Sequence, residues 1–133
     1  MINIIIKSSS RYPIRRKIIK KAIITMLAAR QVEDDFEVEV NIIGDRKMRE
    51  LKKIYLKIDE TTDVLSFPLQ DDYFINKKKD FIDNPDNLLR LGTIFISYPQ
   101  ARRQANLHKL LIDEEINQLT EHGMLHLLGF HHE

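Results

Sequence analysis

The chain has 133 residues, 21 basic and 20 acidic side chains, and no cysteine. This length fits one domain with a single core, and 43% apolar with 31% charged residues excludes a disordered or membrane-spanning chain. The missing cysteines exclude disulfide partners, a thiol nucleophile and a cysteine-based zinc site. The N-terminal apolar run is far shorter than the about 20 residues that span a membrane. It also lacks the basic leader of a secretory signal, so we expect a cytoplasmic protein.

The first half of the chain predicts two strands that alternate with two helices. Residues 2–6 are mostly β-branched and predict a strand. After Pro13, which suits a first helical turn, apolar side chains recur at helical spacing as far as Leu27. The segment 36–43 alternates apolar and polar residues, as a half-buried strand does, and Asp45 is the predicted N-cap of a helix over about 46–55.

The second half predicts two more strands and two final helices. Strands are expected over 63–67 and 91–97, and the polar segment 70–89 between them is expected to be a mobile loop. A helix follows from Ser97 to about His108, and Asp113 is the predicted cap of a last helix that ends near Leu128. This order predicts one α/β (α+β) domain over residues 1–133, with a small mixed sheet flanked by helices.

Four of the five histidines lie within the last twelve residues. On a helix, His122 and His126 are one turn apart and share a face, so both imidazoles can bind one metal ion. Gly129 can adopt the left-handed backbone that ends a helix, which lets the chain turn a third histidine back to the pair. That ligand is His132 in this pattern, although the spacing also allows His131. Three nitrogen ligands with an open position suit catalytic zinc on the C-terminal helix and the following turn.

The residue after the first histidine limits which class of metal enzyme this site can belong to. In His-Glu-x-x-His peptidases the residue after the first histidine is the general base, but the equivalent residue here is Gly123. A peptidase of that type is therefore disfavoured, and the attacking water needs another base or acts as hydroxide unaided. His108, which stands alone on its predicted helix, is expected to be only a packed or solvated side chain.

Three segments of the chain match, in order, the motifs of a known family. The segment 122–132 reads His-Gly-Met-Leu-His-Leu-Leu-Gly-Phe-His-His. It resembles the motif His-Gly-x-Leu-His-Leu-x-Gly-Tyr-Asp-His of the YbeY-type endoribonucleases, which are ribosomal RNA maturation factors. Upstream, Thr-Asp-Val-Leu-Ser-Phe-Pro over 62–68 is similar to the same motif in that family. Leu91, Gly92, Ile94 and Ser97 resemble its Leu-Gly-Asp-Ile-x-Ile-Ser.

The resemblance covers essentially the whole chain and implies a zinc-dependent endoribonuclease that acts on single-stranded RNA. The implied setting is maturation of the 16S ribosomal RNA end and ribosome quality control, with the small ribosomal subunit as a partner. It implies one zinc ion held by three histidines, and it favours His132 over its neighbour as the third. The ligands would be His122, His126 and His132, and the groups that could assist them are His131, Glu133 and Lys57.

Four positions depart from the family pattern. The family's arginine after the tyrosine is Leu56 here, following Tyr55, and leucine cannot replace a bidentate phosphate contact. Thr93 stands where the family has Asp, and Phe130 and His131 replace the Tyr and Asp before the third ligand. The ligands are intact, but an alternative stays open: a ribosome- or RNA-binding module whose zinc is structural or vestigial.

Basic residues are concentrated in the first quarter of the chain. Residues 1–32 contain eight Lys or Arg and no acid, whereas acidic residues cluster over 33–39. One region is therefore positive despite the formal net charge of +1, as a phosphate-binding protein requires. The side chains predicted to contact RNA are Arg11, Arg15, Arg16, Lys20, Arg102 and Arg103.

Overall fold

A computed structural model describes residues 2–32, 35–69 and 89–129 of the chain. Their elements, in chain order, are β1 (Ile2–Lys7), α1 (Arg16–Ala29), β2 (Phe36–Ile43), α2 (Asp45–Leu51), a π-helical segment (Lys52–Leu56), β3 (Val64–Pro68), β4 (Leu89–Ser97), α3 (Tyr98–His108) and α4 (Ile112–Leu127). The predicted order of strands and helices is confirmed. The mobile loop expected over 70–89 lies outside the described residues, except for Leu89, which begins β4.

The four strands form one mixed sheet in the order β1-β2-β4-β3, which confirms the predicted α/β class. The strands β1, β2 and β4 run parallel, and β3 pairs antiparallel with β4 at one edge. Along β2 the apolar residues from Phe36 to Ile42 point into the core, while the polar residues between them are half-buried on the opposite face. This alternation is the period-2 pattern by which we predicted the strand. None of the helices described here is long and apolar enough to cross a membrane.

The core lies between the sheet and the two long helices. On α1 the fully buried side chains Ile19, Ile23 and Leu27 recur at helical spacing, as predicted. On α4 the buried positions include Met124 and Leu127, in the same turns as His122 and His126. Packing of α4 against α1, β3 and β4 therefore determines where the C-terminal histidines lie.

An irregularity in β4 brings β3 and α4 close to the same point of the sheet. The partners of Glu37 and Val38 on β4 are Arg90 and Gly92, so Leu91 is the extra residue of a β-bulge. Gly92 has a φ of +142°, and a Cβ there would overlap the carbonyl oxygen of Phe67 on β3 and lie 2.9 Å from Cδ2 of Leu127 on α4. Only glycine combines this backbone conformation with so close an approach.

Two predicted helix caps are wrong, and the structure shows a cap that was not predicted. Asp45 is the first residue of α2 rather than its N-cap, because its carboxylate accepts a hydrogen bond from Ser97 Oγ at 2.8 Å instead of from its own helix. Asp113 lies in the first turn of α4, where it pairs with Arg15 at 3.4 Å. Ser97, from which we predicted a helix, is the N-cap of α3, since its Oγ accepts from the backbone N–H of Gln100 at 3.4 Å.

Candidate metal centre

His122 and His126 lie side by side on the last turns of α4. Their ring centroids are 4.7 Å apart and the ring planes are inclined by 38°, and both side chains are half-buried. The one-turn spacing therefore places two imidazoles on one face of the helix, as expected from the sequence. This arrangement can present two nitrogen donors to one ion.

Gly123, between the two histidines, is a point of close contact between α4 and the sheet. A Cβ atom built on Gly123 would lie 2.8 Å from Cγ2 and 3.0 Å from Cδ1 of Ile94 on β4. The glycine therefore allows the helix to pack closely against the sheet. A glutamate at this position, as in the peptidase motif, would displace the helix that carries both histidines.

The edge strand β3 is joined to the same turn of α4. Ser66 Oγ donates to the carbonyl oxygen of Gly123 at 3.4 Å. At the start of the strand, the backbone N–H of Ser97 donates to the carbonyl oxygen of Asp63 at 2.9 Å. The segment 62–68, which carries the second motif, thus lies along the histidine-bearing helix, and its serine has a structural contact there.

A pair of side chains near this site was not predicted. His108, at the end of α3, has its Nδ1 atom 2.9 Å from Oε1 of Glu115 on α4. Glu115 is buried, with 3% of its side chain exposed, whereas the His108 side chain is 53% exposed. His108 is a partly solvated side chain, as expected, and its contact with Glu115 adds to that expectation. No periodicity in the sequence links the two residues, because their contact depends on the turn between two helices.

The residues present fit zinc by their donor chemistry. Neutral imidazole nitrogen is a preferred zinc ligand, and two imidazoles on successive helical turns form the usual core of a histidine zinc site. Among the residues that the structure describes, no group of three His, Cys, Asp or Glu is placed to hold a metal. The predicted third ligand His132, with His131 and Glu133, lies outside those residues.

The predicted RNA-binding arginines differ in what they contact. Arg16 donates to the carbonyl oxygen of Ile6 at 2.6 Å and to Ser8 Oγ at 2.9 Å, so it joins α1 to β1. The Arg102 guanidinium lies 5.7 Å from the ring centroid of Tyr98, as in a cation–π contact. The other members of the predicted set are the ion-paired Arg15 and Arg103 and the exposed Arg11 and Lys20.

Asp45 connects the starts of α2 and α3 at one end of the sheet. One carboxylate oxygen accepts from Ser97 Oγ, and the other accepts from an Arg103 guanidinium nitrogen at 2.8 Å. Burial acts to raise the pKa of Asp45, but hydrogen bonds from Arg103, Ser97 and Gln100 outweigh it, so the pKa lies below its usual value. Arg103 therefore has a structural partner in addition to any role in RNA binding.

The positions that depart from the family pattern lie on two parts of the fold. Leu56 ends the π-helical segment and is 44% exposed, and its neighbour Tyr55 packs edge-on against Phe67 with ring centroids 5.2 Å apart. Lys57, named from the sequence as a group that could assist the ligands, follows with a left-handed backbone at φ 61°. Thr93 pairs with Phe67 across the β3–β4 ladder and is half-buried.

Comparison with known proteins gives consistent matches over most of the chain. The family model described as Endoribonuclease YbeY matches residues 5–133. A protein of that name from Dehalococcoides mccartyi is 37% identical over 99% of this chain and 81% of its own length. Another, from Caldanaerobacter subterraneus subsp. tengcongensis, is 36% identical over 87% of this chain and 73% of its own length.

A solved structure shares the fold. The solution structure of TM1509 from Thermotoga maritima matches with a TM-score of 0.59, covering 100% of this chain and 75% of that one, at 22% identity. The family match over residues 5–133 and the two relatives that are 37% and 36% identical show that the chain belongs to the Endoribonuclease YbeY family.

Proposed function

We propose that this chain is a zinc-dependent endoribonuclease that cleaves single-stranded RNA. The observation that carries the proposal is the pair of imidazoles on α4, with centroids 4.7 Å apart, in a chain whose relatives are named endoribonucleases. The Gly123–Ile94 contact supports it, because it joins the helical turn that bears the pair to the centre of the sheet. Precise placement of ligands by rigid elements is what a catalytic metal site needs.

The residues that would hold zinc are His122 and His126, with His132 as the proposed third ligand. When bound, zinc supplies a Lewis acid that stabilises negative charge on the phosphoryl oxygens of the RNA. The chain itself contributes the orientation of the donors. Ser66 Oγ, which donates to the carbonyl oxygen of Gly123, and the contact of Gly123 with Ile94 hold the backbone between the first two ligands.

Binding of RNA would depend first on attraction between basic side chains and the phosphates. Arg11 and Lys20 are exposed near and on α1, in the stretch of the sequence that carries no acid before residue 33. Attraction to phosphates is independent of base sequence and falls with salt concentration. Arg15, Arg102 and Arg103 remain proposed contacts, since their ion-pair and ring contacts lie at the surface and leave part of each guanidinium accessible.

Within this proposal the substrate is ribosomal RNA. The setting is maturation of the 16S RNA end and ribosome quality control, with the small ribosomal subunit as the partner that presents the RNA. The support is the match of three ordered motifs over 62–68, 91–97 and 122–132. A ribosomal substrate agrees with the cytoplasmic location expected from the sequence.

A second candidate is a ribosome- or RNA-binding module in which zinc is structural or vestigial. Leu56 favours it, because an exposed leucine stands where the family pattern has an arginine that can bind phosphate through two hydrogen bonds. Both candidates require RNA binding, but only the nuclease requires turnover. Cleavage rather than binding therefore distinguishes them.

The test measures zinc content and cleavage in the same preparations. We expect the purified chain to contain one zinc ion and to cleave a single-stranded RNA that carries the 3′ end of 16S RNA. His126→Ala should lose both zinc and cleavage. Leu107→Ala is the matched control, since this side chain on α3 is 74% exposed and its truncation should leave both unchanged.

Three outcomes separate the alternatives. A zinc-containing chain that binds RNA but cleaves none, with His126→Ala equally inert, would favour the binding module over the nuclease. A chain that takes up no zinc would contradict both metal-dependent proposals. Cleavage of a casein-type substrate that is lost in His126→Ala would instead support the peptidase that Gly123 argues against.

A further inference from the structure

A cleft lies beside the histidine pair, between the end of α3, the start of β3 and the first turns of α4. Its volume is about 250 Å³. The side chains around it include one of the proposed ligands and three other titratable groups. Its lining residues are Asp63, Val64, His108, Glu115, Gln118, Leu119 and His122.

The His108–Glu115 pair forms one wall of this cleft. The Nδ1 atom of His108 lies 2.9 Å from Oε1 of Glu115. A carboxylate only accepts hydrogen bonds, so Nδ1 donates to it, and the tautomer that can do so carries its lone pair on Nε2. Burial of a carboxylate is costly unless it is hydrogen-bonded, and Glu115, 3% exposed, meets this requirement through His108. The half-exposed imidazole thus has one nitrogen held by the protein and one that can face a substrate.

Both residues lie at helix ends whose backbone is hydrogen-bonded. His108 is the last residue of α3, and the chain turns directly after it because Lys109 has a left-handed backbone with φ 58°. The turn is closed by a hydrogen bond of 2.9 Å from the backbone N–H of Leu110 to the carbonyl oxygen of Ala105. Glu115 lies in the first turn of α4, where its own N–H donates to Leu111 at 3.1 Å. The pair therefore joins a helix C-terminus to a helix N-terminus.

We propose that His108 is the general base of this site and that Glu115 is the positioning residue that orients it. This proposal rests on the proposed nuclease function and supplies the base that Gly123 cannot provide. Its geometry is that of a carboxylate–histidine dyad, in which the acid selects the tautomer and the free nitrogen takes a proton. His122 belongs to the proposed ligand set and Glu115 is buried against His108, so neither is available as the base.

The step is a hydrolysis in which one bond to phosphorus replaces another. A water molecule gives one proton to Nε2 of His108 while its oxygen forms a bond to the phosphorus atom of the RNA. The bond between phosphorus and a ribose oxygen breaks, and that oxygen takes a proton from solvent. His108 then returns its proton to solvent, so the chain ends the cycle unchanged.

The first experiment removes the imidazole and supplies it again. His108→Ala should lower the turnover number of RNA cleavage by about 100-fold or more, and added free imidazole should restore part of it. Zinc content should stay at the value of the original chain, whereas His122→Ala should lose its zinc. Leu107→Ala, at the exposed residue next to His108, is the control for truncation at the end of α3.

The second experiment determines the tautomer of His108 and does not depend on a measurement of activity. In the metal-free chain, nitrogen NMR of His108 should show the proton on Nδ1 when the ring is neutral. Glu115→Gln should shift the population toward the Nε2–H tautomer and lower turnover by about tenfold or more. Loss of turnover with no tautomer change would indicate that Glu115 is only structural, and would overturn its assigned role.

The outcomes for this inference and for the nuclease proposal are distinct. If the unaltered zinc-loaded chain cleaves no RNA, the nuclease proposal fails and the role of His108 fails with it. If the unaltered chain cleaves RNA and His108→Ala cleaves it equally well, only the role of His108 is overturned. The same holds if cleavage is lost in Asp63→Asn but not in His108→Ala, because the base would then lie on the opposite wall of the cleft.

Discussion

Gly123 of α4 lies so close to Ile94 of β4 that a methyl group on the glycine would come within 2.8 Å of the isoleucine Cγ2 atom. The Gly123→Ala substitution therefore has to push α4 away from the sheet. We expect the free energy of unfolding to fall by about 1–3 kcal/mol, as for other overpacked core positions. Zinc affinity should fall as well, because the displaced turn carries His122 and His126. Urea unfolding and zinc titration measure the two effects.

The control for this substitution is Gln118→Ala, on an exposed position of the same helix. It should change the unfolding free energy by no more than about 0.5 kcal/mol. A Gly123→Ala chain as stable as the original would show that α4 can move without cost, contrary to the packing described above.

Gly92 should tolerate substitution less well than Gly123. Its φ of +142° is unfavourable for any L side chain, and a Cβ there would overlap the carbonyl oxygen of Phe67. Gly92→Ala should lower the unfolding free energy by at least about 3 kcal/mol, since backbone strain and overpacking act together. Thermal and urea unfolding measure this loss. Thr93→Ala, one residue away and half-buried, should cost clearly less.

Ionisation of Asp45 should make the free energy of unfolding depend on pH. Its pKa is lowered in the folded state, because hydrogen bonds from Arg103 and Ser97 outweigh the effect of burial. A lowered pKa means that the stabilisation is complete above the unfolded value of about 4 and is lost as the pH falls through the lower folded value. Asp45→Asn should therefore cost about 1 kcal/mol at pH 7, and this difference should shrink in acid.

Unfolding measured between pH 7 and pH 2 checks this prediction for Asp45. The comparison variant is Asp59→Asn, whose carboxylate pairs with Arg49 at 2.7 Å with both side chains more than half exposed. We expect a much smaller effect at pH 7 for this exposed pair, because water and salt screen it. Equal effects of the two substitutions would contradict a special role for the Asp45 contacts.

Zinc should stabilise the metal-free chain through the histidine pair. A ligand that binds only the folded state at 100 times its dissociation constant adds about 2.7 kcal/mol to the unfolding free energy. The melting temperature of the original chain should rise on addition of zinc, and that of His122→Asn should not. A rise of equal size in both chains would show that the ion binds elsewhere.

Lys20 should contribute to RNA affinity through its charge alone. Lys20→Ala should weaken binding of single-stranded RNAs of different sequence to the same degree. It should also lower the slope of log affinity against log salt by about 0.7, which is the value for one lost phosphate contact. Arg46→Ala removes the same charge from α2, where the side chain is 96% exposed, and should leave the slope unchanged. RNA binding measured at several salt concentrations gives the slopes of the two variants and of the original chain.

The fold was largely predictable because its strands and helices differ in hydrophobic period. The alternation over Phe36–Ile43 and the helical spacing from Ile19 to Leu27 both correspond to elements of the structure. The boundaries of α2 were not predictable in the same way. A single helix was predicted over about 46–55, but the α-helix ends at Leu51 and the chain continues as a π-helical segment. At its start, Asp45 contacts a serine and an arginine that are distant in the sequence rather than its own helix.

The sequence by itself determined the one-turn pairing of His122 and His126, since helical geometry is local and needs no knowledge of the rest of the chain. It also determined the family, through motifs that can be compared residue by residue. Only the tertiary structure decided that Gly123 faces Ile94 and that His108 meets Glu115. Those contacts join residues on different elements. Their distances depend on the turn between α3 and α4 and on how α4 packs against the sheet, which no local pattern specifies.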